Sequence, residues 1–483
     1  MKLIPQQILS VFLGHTLTPQ AKSPVPRGLW LVLPALVFTG LAAPAIDYPP
    51  ISSFLYGNTG VNAPAQTNAV SGDGYPYRLL LPPNYNSATH YPLIVYLHGG
   101  GEVGRDNVRQ LTAGRNTANG GLALVSTENQ SNYPCLFAAP QMSSNSWYYA
   151  PSVQAVSNLI VLLETQYSVD TNRICLTGLS SGGIGSWCLP PQIHPNPFSC
   201  IVPLSGFSRY PDSTPKIPIW AFHAANDPTE SIKFGNPRGM RVAGEHGSDD
   251  IVPHLRDLGY PVIYTRYNTG SHPIWSMAYQ NPLLLPWMFA QRLGQPMQGV
   301  PGLEITGSAQ NSSNLTLSGA VTSAAGFTRV GWSSNFKLPG EQKSDGVADG
   351  TNAALVSVSS LFDNSFVGQR VGILPRNNDQ GAVYYDIIAV QNSNTMTLSA
   401  TLPAGTYSFI TYPYGTPQNP YPAEGSISPN WKLANIPLSA GTNLIQVIAE
   451  APSGVSSYGG LTTINRQFVV TYAGEASPPP VRK

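Results

Sequence analysis

Ile174-Cys-Leu-Thr-Gly178-Leu-Ser180-Ser-Gly182-Gly-Ile-Gly-Ser-Trp187 decides how the rest of the chain is read. An apolar strand-like run, Ile174–Thr177, enters Gly178-Leu179-Ser180-Ser181-Gly182, and a helix-compatible stretch leaves it through Trp187. G-x-S-x-G between a strand and a helix is the signature of a nucleophile elbow, a tight turn that lifts a serine hydroxyl above the end of a sheet. The positions two before and two after the serine must be small, because strand and helix nearly touch there. This sets the register at Ser180, with Gly178 and Gly182 around it, and not at Ser181, which has Leu179 behind it.

A serine hydroxyl is a poor nucleophile until a neighbouring base takes its proton. With an elbow of this kind the acid and then the histidine follow the serine along the chain. Of the eight histidines, His246, His254 and His272 lie far enough downstream, whereas His194 and His223 come too early. His272 follows the apolar run Val262–Tyr267 across Asn-Thr-Gly-Ser, a loop at a strand's carboxyl end. His254 sits in a helix-like segment and His246 in a Gly-rich turn with no strand before it, so His272 is the expected base. Asp227 follows the run ending at His223 by a short loop and is the expected acid; Asp212, Asp249, Asp250 and Asp257 lack that placement and read as turn or helix charges. Leu97-His98-Gly99-Gly100-Gly101-Glu102, after Leu93–Leu97, lets backbone N–H groups approach a developing oxyanion. Gly100 is the first choice of donor there and Gly101 the second, with Ser181 supplying the N–H that follows the nucleophile.

Around these motifs the pattern from Tyr77 to Leu293 alternates. Tyr77–Leu81, Leu93–Leu97, Cys135–Ala139, Ile174–Thr177, Ile201–Leu204, Pro218–His223 and Val262–Tyr267 are short apolar runs, and Ser152 to Tyr167 carries a helical repeat of apolar positions. Such strands between helices predict an α/β domain with a mostly parallel sheet covered on both faces. After Gln295 the helical repeat stops. Short alternating strands at Leu315–Leu317, Val371–Leu374, Met396–Leu398, Leu444–Ala449 and Phe468–Tyr472, separated by Ser, Thr, Asn and Gly, predict all-β modules.

Length and composition bound the functions available. The chain has 483 residues, too many for one ordinary core, and 42 % of them are apolar. Lys plus Arg number 25 against 24 Asp plus Glu, which leaves no electrostatic footprint for nucleic acid. Charged residues are only 10 %, while Gly and Pro number 46 each, the texture of a turn-rich exported protein. Leu29 to Ala43, after a segment carrying Lys2, Lys22 and Arg27 and before Ala43-Pro44-Ala45, has the form of a secretory signal peptide. It is too short, and broken by Pro34, for a membrane span. Export to the medium, the periplasm or the cell surface is therefore expected. Cys135, Cys175, Cys188 and Cys200 form no Cys-x-x-Cys, so no metal site is expected, and their pairing stays open.

Taken together, Leu97 to Asn107, Ala139-Pro-Gln141 with Trp147, Val169-Asp170-x-x-Arg173-Ile174, Phe222 to Pro228, Gly270-Ser-His272-Pro-Ile-Trp275 and Trp287 with Gln291-Arg292 resemble secreted α/β-hydrolases of the esterase and polyhydroxybutyrate-depolymerase-like family. Feruloyl and acetylxylan esterases and proteins labelled as peptidases are among its members. The resemblance implies an α/β-hydrolase fold and a Ser180–His272–Asp227 triad acting on carboxylic esters; that chemistry requires no cofactor, and a monomer is expected. The family pattern also places Gln141, Trp147 and Trp275 near the nucleophile as pocket candidates; Glu102, Arg105 and Asp106 are expected to brace the oxyanion loop, and His98 and His223 to be structural. Departures are Ser181 where relatives usually carry Met, His223-Ala-Ala for His-Gly, and Pro273 directly after the histidine. Further on, 303–336 and 425–473 resemble the two halves of a bacterial immunoglobulin-like repeat, and 340–414 a small β module inserted between them. The expected layout is thus a signal peptide at 1–45, a catalytic domain at 46–295, the split sandwich, the insert, and a disordered tail at 476–483. Tail modules of this kind are expected to hold the enzyme near a polymeric substrate, polysaccharide or polyester. Deletion after Gln295 is then expected to spare turnover of small esters. A serine peptidase and a surface-binding protein on an inactive scaffold are the rival expectations.

Overall fold

Residues 93–97 show why the centre of the molecule folds as it does. Leu93, Val95 and Leu97 enter one apolar cluster and Ile94 and Tyr96 the other, so this strand is buried on both faces. Only a sheet sandwiched by helices accommodates that pattern. The computed structural model describes residues 47–60, 74–112, 120–143, 146–233, 245–299, 301–322, 329–334, 342–362, 370–374, 383–412, 430–438 and 440–474. The segment read as a signal peptide and the tail at 476–483 lie outside them, as do 323–328, 335–341 and 413–429.

Strands β1 (Leu55–Asn58), β2 (Pro76–Leu80), β3 (Tyr91–Leu97), β4 (Leu136–Pro140), β5 (Val169–Leu179), β6 (Cys200–Leu204), β7 (Ile219–Ala224) and β8 (Val262–Tyr267) lie in the order β1-β2-β4-β3-β5-β6-β7-β8. β1–β2 and β2–β4 pair antiparallel, and every later neighbour up to β8 pairs parallel. The helices are α1 (Arg109–Thr112), α2 (Thr127–Asn132), α3 (Ala150–Gln166), α4 (Ser181–Cys188), α5 (Ser248–Asp257), α6 (Trp275–Tyr279) and α7 (Leu284–Ala290). α3 buries Ala155, Val156, Leu159, Ile160 and Leu163, the three- and four-residue spacing of one helical face. It packs with Leu93 and Val95 on one side of the sheet, while Leu284, Trp287 and Met288 of α7 join Ile94 and Tyr96 on the other. This is the α/β-hydrolase fold. Among the described residues no helix is long and apolar enough to cross a membrane.

The sheet does not stop at β8. Among the described residues it has eleven strands and continues through β20 (Leu461–Tyr472), β19 (Gly441–Pro452) and β11 (Arg329–Ser334). Leu461, Thr462 and Thr463 pair antiparallel with Arg266, Thr265 and Tyr264. Against this extension stands a second sheet of β18 (Asn430–Pro437), β10 (Asn314–Thr322) and β9 (Gly302–Asn311). Leu303, Leu315, Leu317, Trp431, Leu433 and Ile436 from it share one apolar cluster with Val447, Ala449 and Ile464, and that cluster runs on into the catalytic domain. Texture changes at Gln295, but the sheet and its core cross that position. Between β11 and β18, strands β12 (Gln342–Ala348), β13 (Ala354–Val356), β14 (Arg370–Leu374), β15 (Val383–Asn392), β16 (Thr395–Leu398) and β17 (Gly405–Tyr412) close into a barrel. Leu355, Val371, Ile373, Ile387, Met396 and Phe409 give the barrel a core of its own.

The four cysteines are buried free thiols. Cys175 and Cys200 stand opposite each other on β5 and β6. Burial raises the Cys188 thiol to about 12 and also pushes those of Cys135 and Cys200 well up, which makes them inert packing groups.

Candidate active site

Ser180 occupies the turn between β5 and α4 with φ 54° and ψ −119°. A non-glycine residue held there stores about 1–3 kcal/mol of backbone strain, which the surrounding packing must sustain. Packing explains the glycines. A Cβ on Gly182 would lie 1.9 Å from the Leu97 carbonyl oxygen, and one on Gly178 would lie 2.5 Å from the Gly182 carbonyl. β3, β5 and α4 meet too closely for any side chain at either position.

The structure brings the three predicted residues into one chain of hydrogen bonds. Ser180 Oγ is 2.8 Å from His272 Nε2, and His272 Nδ1 is 2.7 Å from Asp227 Oδ2. A carboxylate only accepts, so Nδ1 carries the proton and Nε2 is left to accept from the serine hydroxyl. Asp227 is 2 % exposed. Burial alone would raise its carboxyl, but hydrogen bonds from His223 and His272 outweigh that and hold it well below the usual carboxylate range. Its other oxygen accepts from the backbone N–H of Thr229 and Glu230 at 2.8 and 2.9 Å. His223, expected from the sequence to be structural, is anchored by Ser248 Oγ and the Glu230 carbonyl and stands 3.3 Å from Asp227 Oδ2. The His272 loop is tied down by Ser271 N–H donating to Asn226 Oδ1 at 2.9 Å and by Ser205 Oγ donating to the His272 carbonyl at 3.0 Å. Neither Asn226 nor Ser205 carries a motif that sequence alone would single out.

The rejected candidates lie elsewhere. His254 pairs with Asp212 and His246 with Asp250, both at 2.7 Å and partly in solvent. Asp249 is not a solvated helix charge: it holds Arg266 through both oxygens and accepts from the Tyr264 hydroxyl.

Gly100, Gly101 and Ser181 border the cleft that contains Ser180 and His272. Ser181 is the first residue of α4, so its N–H belongs to the helix end that has no partner within the helix. A Cβ on Gly101 would meet no atom within 4 Å, so that residue opens toward space. The loop behind them is fixed by His98, whose Nδ1 donates to the Gly99 carbonyl at 2.7 Å while Nε2 accepts from Met142 N–H at 3.0 Å. Burial lowers that imidazole to about 4, so it stays neutral, as this bonding requires.

Two pocket expectations need correction. Gln141 is fully buried, and its amide is spent on bracing: Oε1 accepts from Asn107 N–H, and Nε2 donates to the Glu102 carbonyl and to Asp106 Oδ1. Trp147 is also fully buried, donates to the His98 carbonyl at 3.0 Å and fills the space beside Gly185. Both shape the oxyanion loop from behind and neither borders the cleft. Trp275 does border it, edge-on to the His272 ring at a centroid distance of 5.4 Å.

The cleft has a volume of about 510 Å³, with an apolar wall of Leu179, Ile184, Phe207 and Trp275 beside Tyr148. Glu102, Glu230 and Glu245 also line it. Arg209 donates to Glu245, and its guanidinium lies 4.8 Å from the Tyr148 ring centroid. Burial, then the charges of Asp227 and Glu245, push the Glu230 carboxyl up to about 9, so it is neutral at physiological pH. Sequence reading missed Glu230, Glu245, Tyr148 and Phe207; only Glu230, three residues after Asp227, stood close to a recognised position.

No protein-family model and no curated protein matches the sequence. Among solved structures the chain is similar to a thermostable esterase, at 30 % identity over 50 % of this chain and 64 % of that one, with a TM-score of 0.41. It is similar at 16 % identity to a feruloyl esterase module from Clostridium thermocellum, over 38 % of this chain and 74 % of that one, with a TM-score of 0.28. An acylaminoacyl peptidase from Pyrococcus horikoshii shares 14 % identity over 47 % of this chain and 41 % of its own, with a TM-score of 0.33. The chain thus spans less than two thirds of the esterase it matches at 30 % identity. By strand order, by its elbow and by the order serine, aspartate, histidine, the chain is an α/β-hydrolase in fold, similar over part of its length to esterases.

Proposed function

We propose that the protein is a serine hydrolase that cleaves carboxylic esters through an acyl-enzyme. The observation that carries this reading is the Ser180–His272–Asp227 chain, with both hydrogen bonds at 2.7–2.8 Å, opening into a cleft bordered by backbone donors. Ser180 Oγ attacks the ester carbonyl as His272 Nε2 takes its proton, and the N–H groups of Ser181 and of Gly100 or Gly101 receive the oxyanion. The imidazolium then protonates the leaving alkoxide, and the alcohol departs. Water enters, gives its proton to His272 and attacks the acyl carbonyl, and release of the acid restores Ser180. Asp227, ionised throughout, holds the tautomer and stabilises the imidazolium. Removing one oxyanion donor from such a site typically costs about 3–4 kcal/mol of transition-state stabilisation.

Esters carried on polysaccharide or polyester are the proposed substrate class. The sequence resemblance and the Tyr148 and Trp275 faces at the cleft support it, because a flat aromatic face suits a sugar or phenolic ring. Export remains the reading of the Leu29–Ala45 segment.

Matched p-nitrophenyl ester and p-nitroanilide substrates test the reaction type. Turnover of the ester, at least tenfold faster than the anilide and absent in Ser180→Ala, is expected. Faster amide cleavage would make the protein a peptidase, and no turnover of either would make the fold a scaffold.

A further inference from the structure

The loop that carries His272 is held at its far end by Asn226, Ser205 and Asp227, but its first residues lean on a part of the chain almost two hundred positions away. Thr269 donates twice to the Tyr458 carbonyl, from its N–H at 3.0 Å and from Oγ1 at 3.1 Å. The Tyr458 ring stands edge-on to Tyr267, the last residue of β8, at a centroid distance of 5.5 Å. Gly270, with φ 123°, fits against the same ring: a Cβ there would lie 3.0 Å from Tyr458 Cδ2. Tyr458 belongs to the hairpin between β19 and β20, which is itself fastened. Tyr458 and Gly459 both donate to the Val455 carbonyl, Ser453 Oγ donates to the Gly459 carbonyl, and Gly460 lies so close to β8 that a Cβ would fall 2.1 Å from the Arg266 carbonyl.

Two consecutive left-handed residues, Gly270 and Ser271 at φ 123° and 58°, precede the histidine. Glycine adopts such a conformation freely, but Ser271 persists there only where the surroundings over-determine it. Asn226 fixes Ser271, and the hairpin fixes Thr269 and Gly270, so the strained Ser271 is held both directly and through the two residues before it. We propose that Tyr458 is a positioning residue for His272, and that the β19–β20 hairpin is part of the catalytic apparatus. The proposal rests on the reading of His272 as the base. In this arrangement the catalytic unit includes strands drawn from the last fifty residues of the chain. Its role is exerted through the loop, since Tyr458 is not among the residues that border the cleft.

The test uses full-length Tyr458→Ala, Tyr458→Leu and Tyr458→Phe with a p-nitrophenyl ester and with a fluorophosphonate probe. A misplacement near 1 Å at a reacting group costs about 100-fold. Tyr458→Ala is therefore expected to lose roughly 10- to 100-fold in kcat with KM within about twofold, with phosphonylation of Ser180 slowed in parallel. Tyr458→Phe keeps the ring and the carbonyl and should retain wild-type kcat. Should the alanine variant not fold, Tyr458→Leu decides the question, with a smaller loss of the same kind expected. Wild-type kcat in Tyr458→Ala, or in Tyr458→Leu where the alanine variant does not fold, overturns the proposal, as does a loss confined to KM or one explained by the unfolded fraction. An inert wild-type protein defeats the ester-hydrolase reading itself, a result distinct from any of these.

Discussion

The sandwich strands and the barrel share one sequence texture, yet they relate to the catalytic sheet in opposite ways. The barrel closes on itself around its own core, from Leu355 to Phe409. The sandwich extends the parallel sheet and shares its apolar cluster. At the seam Asn465 is 1 % exposed and binds Val262 N–H, Arg256 Nε, the Tyr260 carbonyl and Gln446 Oε1. Arg256 in turn donates to the Thr463 carbonyl and hydroxyl. The lesson is that alternation and turn residues report how a strand is solvated, not which sheet it joins.

Truncation after Gln295 breaks this comparison open most forcefully. It uncovers the paired edge of β8 and removes one half of a shared core, so the expected result is aggregated protein without soluble esterase activity. This reverses the expectation from sequence that small-ester turnover would survive. A soluble, active truncation would show the sandwich to be an accessory. Asn465→Ala probes the same seam at one residue. It strands several buried groups, at about 1–3 kcal/mol each for the worst placed, and should lower the urea midpoint clearly without changing the triad. Excision of residues 342–412 in favour of a short Gly-Ser linker should do far less: kcat on a small ester within about twofold and a wild-type melting temperature for the rest. Loss of activity on excision would join the barrel to the catalytic unit after all.

An effect of a different kind, visible only as pH is varied, lies in the parallel half. Glu230 binds its proton up to about pH 9 when folded, against an ordinary value of 4.5. Between those values the unfolded chain gives up the proton and the folded chain keeps it, so burial of this acid costs progressively more stability as pH rises. Glu230→Gln removes that cost. Thermal melts should show the variant's advantage growing from near pH 4.5 to about pH 9 and levelling beyond. A constant offset across that range would mean that the acid is not buried in its neutral form.

What was legible in the sequence follows from where the chemistry forces a local choice. Gly178 and Gly182 are forced by backbone approaching backbone, and that requirement pointed to Ser180 as the residue on the turn. Asp227 and His272 were readable because each follows an apolar strand by a short loop, which puts it at the sheet's carboxyl rim. Val262–Tyr267 and Ile201–Leu204 matched the observed strands closely, because runs buried on both faces carry no competing pattern. Gln141 and Trp147 were misplaced for a general reason: proximity to a nucleophile in sequence motifs does not distinguish the residue that faces the substrate from the one that braces the loop behind it. Only the hydrogen bonds each side chain makes draw that distinction. The contact of Tyr458 with the His272 loop was out of reach, since neither the two hydrogen bonds to its backbone carbonyl nor the packing of its ring on Tyr267 and Gly270 leaves a mark in the local sequence.

The central claim is that Ser180, His272 and Asp227 form one working relay. A fluorophosphonate reacted with the native protein, followed by peptide mapping in the mass spectrometer, tests it most directly. A working relay predicts a single adduct on Ser180, absent in Ser180→Ala and formed at least a hundredfold more slowly in His272→Ala, in line with the about 10²–10⁴-fold value of a positioned base. An adduct on another residue, or labelling of Ser180 at the same rate without the imidazole, would contradict it.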